Sequence, residues 1–421
     1  MKKSYIILII LIVIILAGII SIKPIKKSLS QKNNEAGMVF YNQEEYDKAA
    51  PLFEKATKQN KGFVEAYINL AKTLLILNNN QKAFETAKAA IQLDNKSPEL
   101  FSICGQSKIN EGDYNAGIDF FNQAIEIDSS FSIAYYYRGI AKANLGDLTA
   151  ALDDYKKAQE LDATNAEYYE SSVVVRTKLE DYSGLIKDYS KIIELDPSNT
   201  EAFYQRGYFK LNINDFEGAV ADFDNAIKLD NKLGKAYYYK GLANAKNGKY
   251  DDGISSFEQS AKLGYKPDIS YFNIGLAYMN QNKTKLAKEA FIKCISANKE
   301  GEKAMEARNN LGAIELMNSN FEAAIKVFSG ILEINDKNTD ALFNRAYSYY
   351  SLKKYKEAIP DLDKCIVLGR TNPEVFFLRG VQYIAQNEFK TGCADLQTAA
   401  DAGHADAKNM MGTYCGGYKQ K

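Results

Sequence analysis

Residues 201–230 read EAFYQRGYFKLNINDFEGAVADFDNAIKLD, and this stretch decides the fold. Gly207 is followed twelve residues later by Ala219, then by Phe223 and Ala226, with Asn214-Asp215 between the two small residues and Leu229-Asp230 at the end. Spacings of three and four put Ala219, Phe223 and Ala226 on one face of a helix, and Asn-Asp is a turn signal. The stretch therefore predicts helix, tight turn, helix.

Moving outward, the position of Ala219 recurs at Ala49, Ala83, Gly117, Ala151, Leu185, Gly253 and Ala287, each 34 residues from the next when Ala219 is included. After a three-residue slip near Lys299 to Glu302 it resumes at Ala324, Ala358 and Gly392. A second column lies twelve residues earlier, at Gly37, Ala71, Gly105, Gly139, Gly207, Gly241, Gly275, Gly312, Ala346 and Gly380, with Val173 its bulky member. Four residues after the first column stand mostly aromatics, among them Phe53, Phe121, Tyr155, Phe223, Phe257, Phe291 and Phe328. Glycine inside a helix costs about 1 kcal/mol against alanine, so its recurrence calls for close backbone approach with the aromatic filling the space alongside.

These residues at this period resemble the tetratricopeptide repeat (TPR) family over roughly residues 30 to 403. The resemblance implies an all-α, right-handed superhelical solenoid of about eleven TPR helix-turn-helix hairpins, with first helices lining a concave groove that receives peptides or partner domains. The last segment, with Ala405, Ala407, Met410 and Met411 at helical spacing, reads as a capping helix over the terminal repeat. The expected organisation is an anchor over 1–22, a basic linker over 23–33, the TPR solenoid over 34–403, and the capping helix with its tail over 404–421.

The anchor is expected from Tyr5 to Ile22, an uncharged Ile/Leu-rich run of eighteen residues after Lys2 and Lys3. As a helix it would span about 27 Å, close to the ~30 Å hydrocarbon core. A cleaved signal peptide is the rival reading, although its apolar part is usually shorter and no small-x-small cleavage site stands out. Lysines flank both ends, so orientation is weakly encoded. The short dilysine leader favours a single-pass membrane protein with the body outside the cytoplasm, against a cytoplasmic body as the alternative.

Six of the 53 basic residues lie in the first 33, leaving 47 against 53 acidic groups in the body. A mildly acidic body without a basic stripe argues against nucleic acid as partner. A single histidine, His404, rules out histidine triads and multi-histidine zinc sites, and five cysteines without a Cys-x-x-Cys pair encode no redox motif or zinc knuckle. With repeats and anchor subtracted, no catalytic domain remains, so no enzyme, cofactor, metal or small-molecule substrate is expected. The expected function is a membrane-anchored scaffold or assembly factor that captures a partner protein segment in the groove. The alternative is a structural spacer or self-assembling component of an envelope complex.

Three residue sets carry the site expectations. Arg138, Arg206, Arg345 and Arg379 share one column of the first helices, and each has an aspartate sixteen residues later, Asp154, Asp222, Asp361 and Asp395. Salt bridges clamping each hairpin are the structural reading, a ligand-binding arginine ladder the functional one. Tyr136, Tyr204, Tyr238, Phe272, Phe343 and Phe377, with Tyr208 and Tyr347 one turn on, are expected to face the groove; the competing reading packs them between repeats. Cys393 and Cys415 lie at similar heights on either side of the Ala402-Gly403 turn and are placed to close a disulfide in an oxidising compartment. Two buried thiols are the alternative, and the one expected for Cys294 and Cys365.

Overall fold

A computed structural model of the chain describes residues 26–416. They are all helical, with 23 helices and no strand among the described residues. The chain divides into two compact units, Met1–Phe209 and Lys210–Lys421. The first contains five hairpins: α1 (26–42) with α2 (Tyr46–Gln59), α3 (Val64–Ile76) with α4 (Asn80–Ile91), α5 (Pro98–Asn110) with α6 (Tyr114–Ile127), α7 (Ser132–Asn144) with α8 (Leu148–Leu161), and α9 (Ala166–Lys178) with α10 (Tyr182–Leu195). The boundary falls within α11 (Thr200–Asn212).

The second unit continues with α12 (Phe216–Leu229), then pairs α13 (Gly234–Lys246) with α14 (Tyr250–Lys262), α15 (Pro267–Asn280) with α16 (Thr284–Ala297), and α17 (Glu302–Met317) with α18 (Phe321–Ile334). It ends with α19 (Thr339–Ser351) and α20 (Tyr355–Val367), α21 (Pro373–Ala385) and α22 (Phe389–Asp401), and a last single helix, α23 (Ala405–Tyr414). The candidate membrane span over 5–22 lies outside the described residues. Among those described, no helix is long and apolar enough to cross a membrane.

Six of the hairpins are held by a glycine facing an aromatic ring. A β-carbon placed on Gly37, Gly105 or Gly139 would come within 2.6–2.7 Å of a ring carbon of Phe53, Phe121 or Tyr155, and one on Gly241, Gly275 or Gly312 within 2.5–2.7 Å of Phe257, Phe291 or Phe328. The rings are buried. In the third hairpin Gly105 faces Phe121 while Gly117 faces Ile109. One partner advances as the other retreats, so the two helices run antiparallel. Apolar burial and dispersion at this seam supply the driving force, because an isolated thirteen-residue helix is marginal in water.

The turn inside each hairpin needs one left-handed residue: Glu44, Asn78, Gly112, Gly146 and Glu180 in the first unit, all with φ between 54° and 89°. Asp113, Asp147 and Asp181 follow directly, and each accepts a hydrogen bond from the backbone N–H three residues on, capping the second helix. Glycine holds φ > 0 without the β-carbon penalty, whereas Glu180 sits at φ 54°. Glu180→Gly is therefore expected to raise stability by about 0.5–1 kcal/mol, the gain being reduced by glycine's larger unfolded-state entropy. Urea denaturation measures it, and a loss of stability would contradict the presence of strain at this turn.

First helices also meet each other, α3 with α5, α5 with α7 and α7 with α9. Theirs is consequently the inner face of the first unit.

Candidate functional site

On that inner face, α3, α5, α7 and α9 enclose a cavity of about 230 Å³. Lys72 comes from α3, Glu99, Ser102 and Gln106 from α5, Ile133, Tyr136 and Tyr137 from α7, and Glu167 and Tyr168 from α9, with Asn165 at the entry to α9. Lys72 and Glu99 form an ion pair. Gln106 donates to the Ser102 hydroxyl at 3.2 Å, so these polar groups are engaged with one another.

The tyrosines form a contiguous cluster. The Tyr136 ring centroid lies 5.0 Å from Tyr137, 4.9 Å from Tyr168 and 6.1 Å from Tyr155. Ser171 donates to the Tyr136 hydroxyl at 3.3 Å, and the Ser132 and Tyr168 hydroxyls are 3.1 Å apart. Burial pushes the Tyr137 phenol up to about 12, and burial, helped by Glu167 and Glu170, raises that of Tyr136. These phenols stay neutral at pH 7, so the cavity offers uncharged, electron-rich rings and hydroxyls, a surface suited to holding a ligand.

The expected groove aromatics divide. Tyr136 lines the cavity and is half-buried. Tyr204, Tyr238 and Phe272 are only 8%, 8% and 5% exposed, which corrects the expectation that they form an open ridge. For Tyr238 and Phe272 the physical reason is coverage from the following segment: Tyr265 packs on Tyr238 at 5.8 Å, and Lys303 lies over Phe272. Phe272 also packs inward on Phe291, centroids 5.8 Å apart. Tyr208, Phe343 and Phe377 are half-buried, and Tyr347 is exposed.

The arginine column closes hairpins. Arg138 makes a bidentate pair with Asp154 (2.9 and 2.6 Å), as do Arg345 with Asp361 (2.7 and 2.7 Å) and Arg379 with Asp395 (2.7 and 2.7 Å). Arg206 and Asp222 belong to different units; within its own unit Asp222 accepts from Lys210 at 2.8 Å. The remaining guanidinium nitrogen reaches the preceding second helix: Arg138 to Asn122, Arg206 to Ser190, Arg345 to Ser329 and Arg379 to Asp363, at 2.6–3.1 Å. These acceptors stand sixteen residues before each arginine, and sequence reasoning did not single them out. In the fifth hairpin Arg176, one turn past Ser172, supplies the missing cation to Asp188 at 2.8 Å.

Asp154 also accepts from Lys142 at 2.7 Å and its side chain is 5% exposed. Asp154→Ala strands two cations at a largely covered site. Because Arg138 keeps 17% exposure and its bond to Asn122, the expected loss is about 2 kcal/mol, below the range for a fully buried pair. Denaturant midpoints check it, with exposed Asp153→Ala expected within about 0.5 kcal/mol of wild type.

Cys393 on α22 and Cys415, just after α23, are joined by a disulfide, with α-carbons 5.8 Å apart. His404 caps α23 by accepting from the Ala407 N–H at 3.3 Å. Cys104, Cys294 and Cys365 are buried free thiols; burial pushes the first up to about 12 and the other two to about 11.

A family model described as tetratricopeptide repeat matches residues 34–98, 105–166 and 204–264, and a second of the same description matches 269–300 and 339–368. Together they cover more than half of the chain. Among solved structures, the chain is similar to YrrB, a TPR protein with an unusual peptide-binding site, at 23% identity and TM-score 0.36, over 45% of this chain and 97% of that one. It is similar to TTC0263, a thermophilic TPR protein from Thermus thermophilus, at 21% identity and TM-score 0.38, over 43% and 99%. The Cut9–Hcn1 hetero-tetramer of APC/C matches over 93% of this chain and 98% of its own, at 15% identity and TM-score 0.33.

Proposed function

Given that this chain belongs to the tetratricopeptide repeat family, whose members are typically protein-interaction scaffolds, we propose that it captures an extended segment of a partner protein along the inner face of its first helices. The cavity between α3, α5, α7 and α9 carries this reading. It is concave, ringed by tyrosines whose hydroxyls stay neutral, and edged by Ile133, which is 39% exposed. Tyrosine offers large contact area with little rotamer entropy, the property that makes buried aromatics dominate binding energy. Half-buried Tyr208, Phe343 and Phe377 and exposed Tyr347 extend the same chemistry to other first helices.

The scaffold is held at a membrane by residues 5–22 as a single-pass anchor, with the repeats outside the cytoplasm. The uncharged length of that segment supports the anchor. A disulfide between Cys393 and Cys415 is at home in an oxidising compartment and supports the orientation. Amino-terminal sequencing of the mature protein, with alkaline washing of membranes, tests the tether: a start after Ile22 removes it.

Ile133→Glu tests the capture. It places a charge at the cavity edge without touching the buried seam, and is expected to reduce recovery of a co-purifying partner from solubilised membranes at least about tenfold. Lys157→Glu, on the exposed face of α8, is expected to leave recovery unchanged. Equal recovery from both variants would move the binding surface elsewhere.

A further inference from the structure

Several first-helix rings of the second unit have a cationic or imidazole companion, whereas Tyr136 is met from the next first helix by the Tyr168 ring at 4.9 Å. Lys266 Nζ lies 5.3 Å from the Tyr238 ring centroid, Lys303 Nζ lies 5.1 Å from Phe272, and the Arg370 guanidinium carbon lies 4.6 Å from Phe343. The His404 imidazole stacks on Phe377, centroids 4.2 Å apart and planes 19° from parallel. Each companion comes from the segment that enters or opens the next first helix, 27 to 31 residues after its ring. A cation within about 6 Å of an aromatic centroid is attracted by the ring quadrupole, so the chain repeatedly covers this ring face with its own positive or nitrogen-bearing group.

The same window after Tyr136 runs Ala163-Thr164-Asn165-Ala166-Glu167 and holds no basic residue. There the structure has the cavity, and the window contributes Asn165 and Glu167 to its lining. The one lysine in the lining, Lys72, is neutralised by Glu99, which leaves Glu167 as the uncompensated charge among the lining residues. An anionic ligand head would be repelled by that carboxylate, whereas a cationic one would pair with it.

We propose that the cavity is a subsite for one lysine or arginine side chain of the captured segment, its cationic head against the Tyr136 ring and Glu167. The guest occupies the place that a group of this chain takes over Tyr238, Phe272, Phe343 and Phe377. Its aliphatic stem lies along Ile133 and Tyr137, as long cationic side chains do when apolar surface adjoins a charged rim. This inference rests on the reading that the groove holds a partner segment, and adds the chemistry of one residue of that segment.

The test offers the full chain, purified in detergent, to pools of acetylated and amidated dodecapeptides in which one position at a time is fixed as arginine, lysine, norleucine or glutamate. Wild type is expected to retain arginine- or lysine-fixed peptides over norleucine-fixed ones by about tenfold at one position. Glu167→Gln, a change at an exposed side chain, and Tyr136→Leu are both expected to cut that preference, read as the ratio of arginine- or lysine-fixed to norleucine-fixed retention, to about threefold or less. Preference for norleucine or glutamate, or a cationic preference that survives both substitutions, would overturn the subsite and leave groove capture standing. Retention of no peptide from any pool would overturn groove capture and the subsite with it.

Discussion

Phe291→Ala is expected to destabilise the second unit by about 3–5 kcal/mol. The ring is fully buried, and on the facing helix stands Gly275, which has no side chain to move into the space vacated. The cavity would therefore persist, and both the transfer and the cavity terms apply. The reciprocal substitution, Gly275→Ala, places a β-carbon 2.5 Å from the same ring and is expected to cost about 1–3 kcal/mol by overpacking. In the Phe291→Ala background that second cost should largely vanish, because the colliding ring is gone. Chemical denaturation of the four proteins measures the coupling. Additive losses would mean that the small and aromatic columns do not form one seam.

Reducing the Cys393–Cys415 disulfide is expected to weaken the end of the second unit by roughly 3 kcal/mol, the loop-closure value for its separation of 22 residues. The effect should be local. α23 packs on α22 through Ala407, with Met410 and Met411 against the same cluster. Hydrogen exchange over 405–414 is expected to accelerate roughly hundredfold on reduction or in Cys415→Ala, with exchange in α15 and α16 unchanged. Alkylation at neutral pH should find no reactive thiol in the native protein, three after denaturation (Cys104, Cys294 and Cys365) and five after denaturation with reductant. Five thiols after denaturation alone would exclude the bond.

The hairpins were legible because their signal is local and repeated. Gly105 and Phe121, sixteen residues apart, meet across one turn, so a fixed spacing along the chain reports a contact in space. The same offset makes Arg345 and Asp361 readable as partners. The second acceptors were not legible: Ser329 and Asn122 look like ordinary surface residues of a second helix, and only the placement of one hairpin against the next turns them toward an arginine. Arg176 escaped for a related reason, since it reaches Asp188 from one turn outside the arginine column.

The aromatic face shows the limit most clearly. Helical periodicity assigns Tyr136, Tyr238 and Phe272 to the same side of their helices, but it does not say how far the next repeat reaches over each ring. That reach depends on the entry segment. Lys266, in the left-handed region at φ 43°, and Tyr265 cover Tyr238, whereas the Ala-Thr-Asn-Ala-Glu entry after Tyr136 leaves a cavity. One column thus holds both packing residues and a candidate binding residue.

Photo-crosslinking at position 133 tests the inner-face assignment most directly. A benzoylphenylalanine at Ile133, at the cavity edge, and one at Lys157, on the outer face of α8, are activated in intact cells expressing the full chain. Capture on the inner face predicts a discrete crosslinked partner from position 133, diminished by Tyr136→Leu in the same chain, and none from position 157. Equal crosslinking from both positions, or a product from 157 alone, would contradict it.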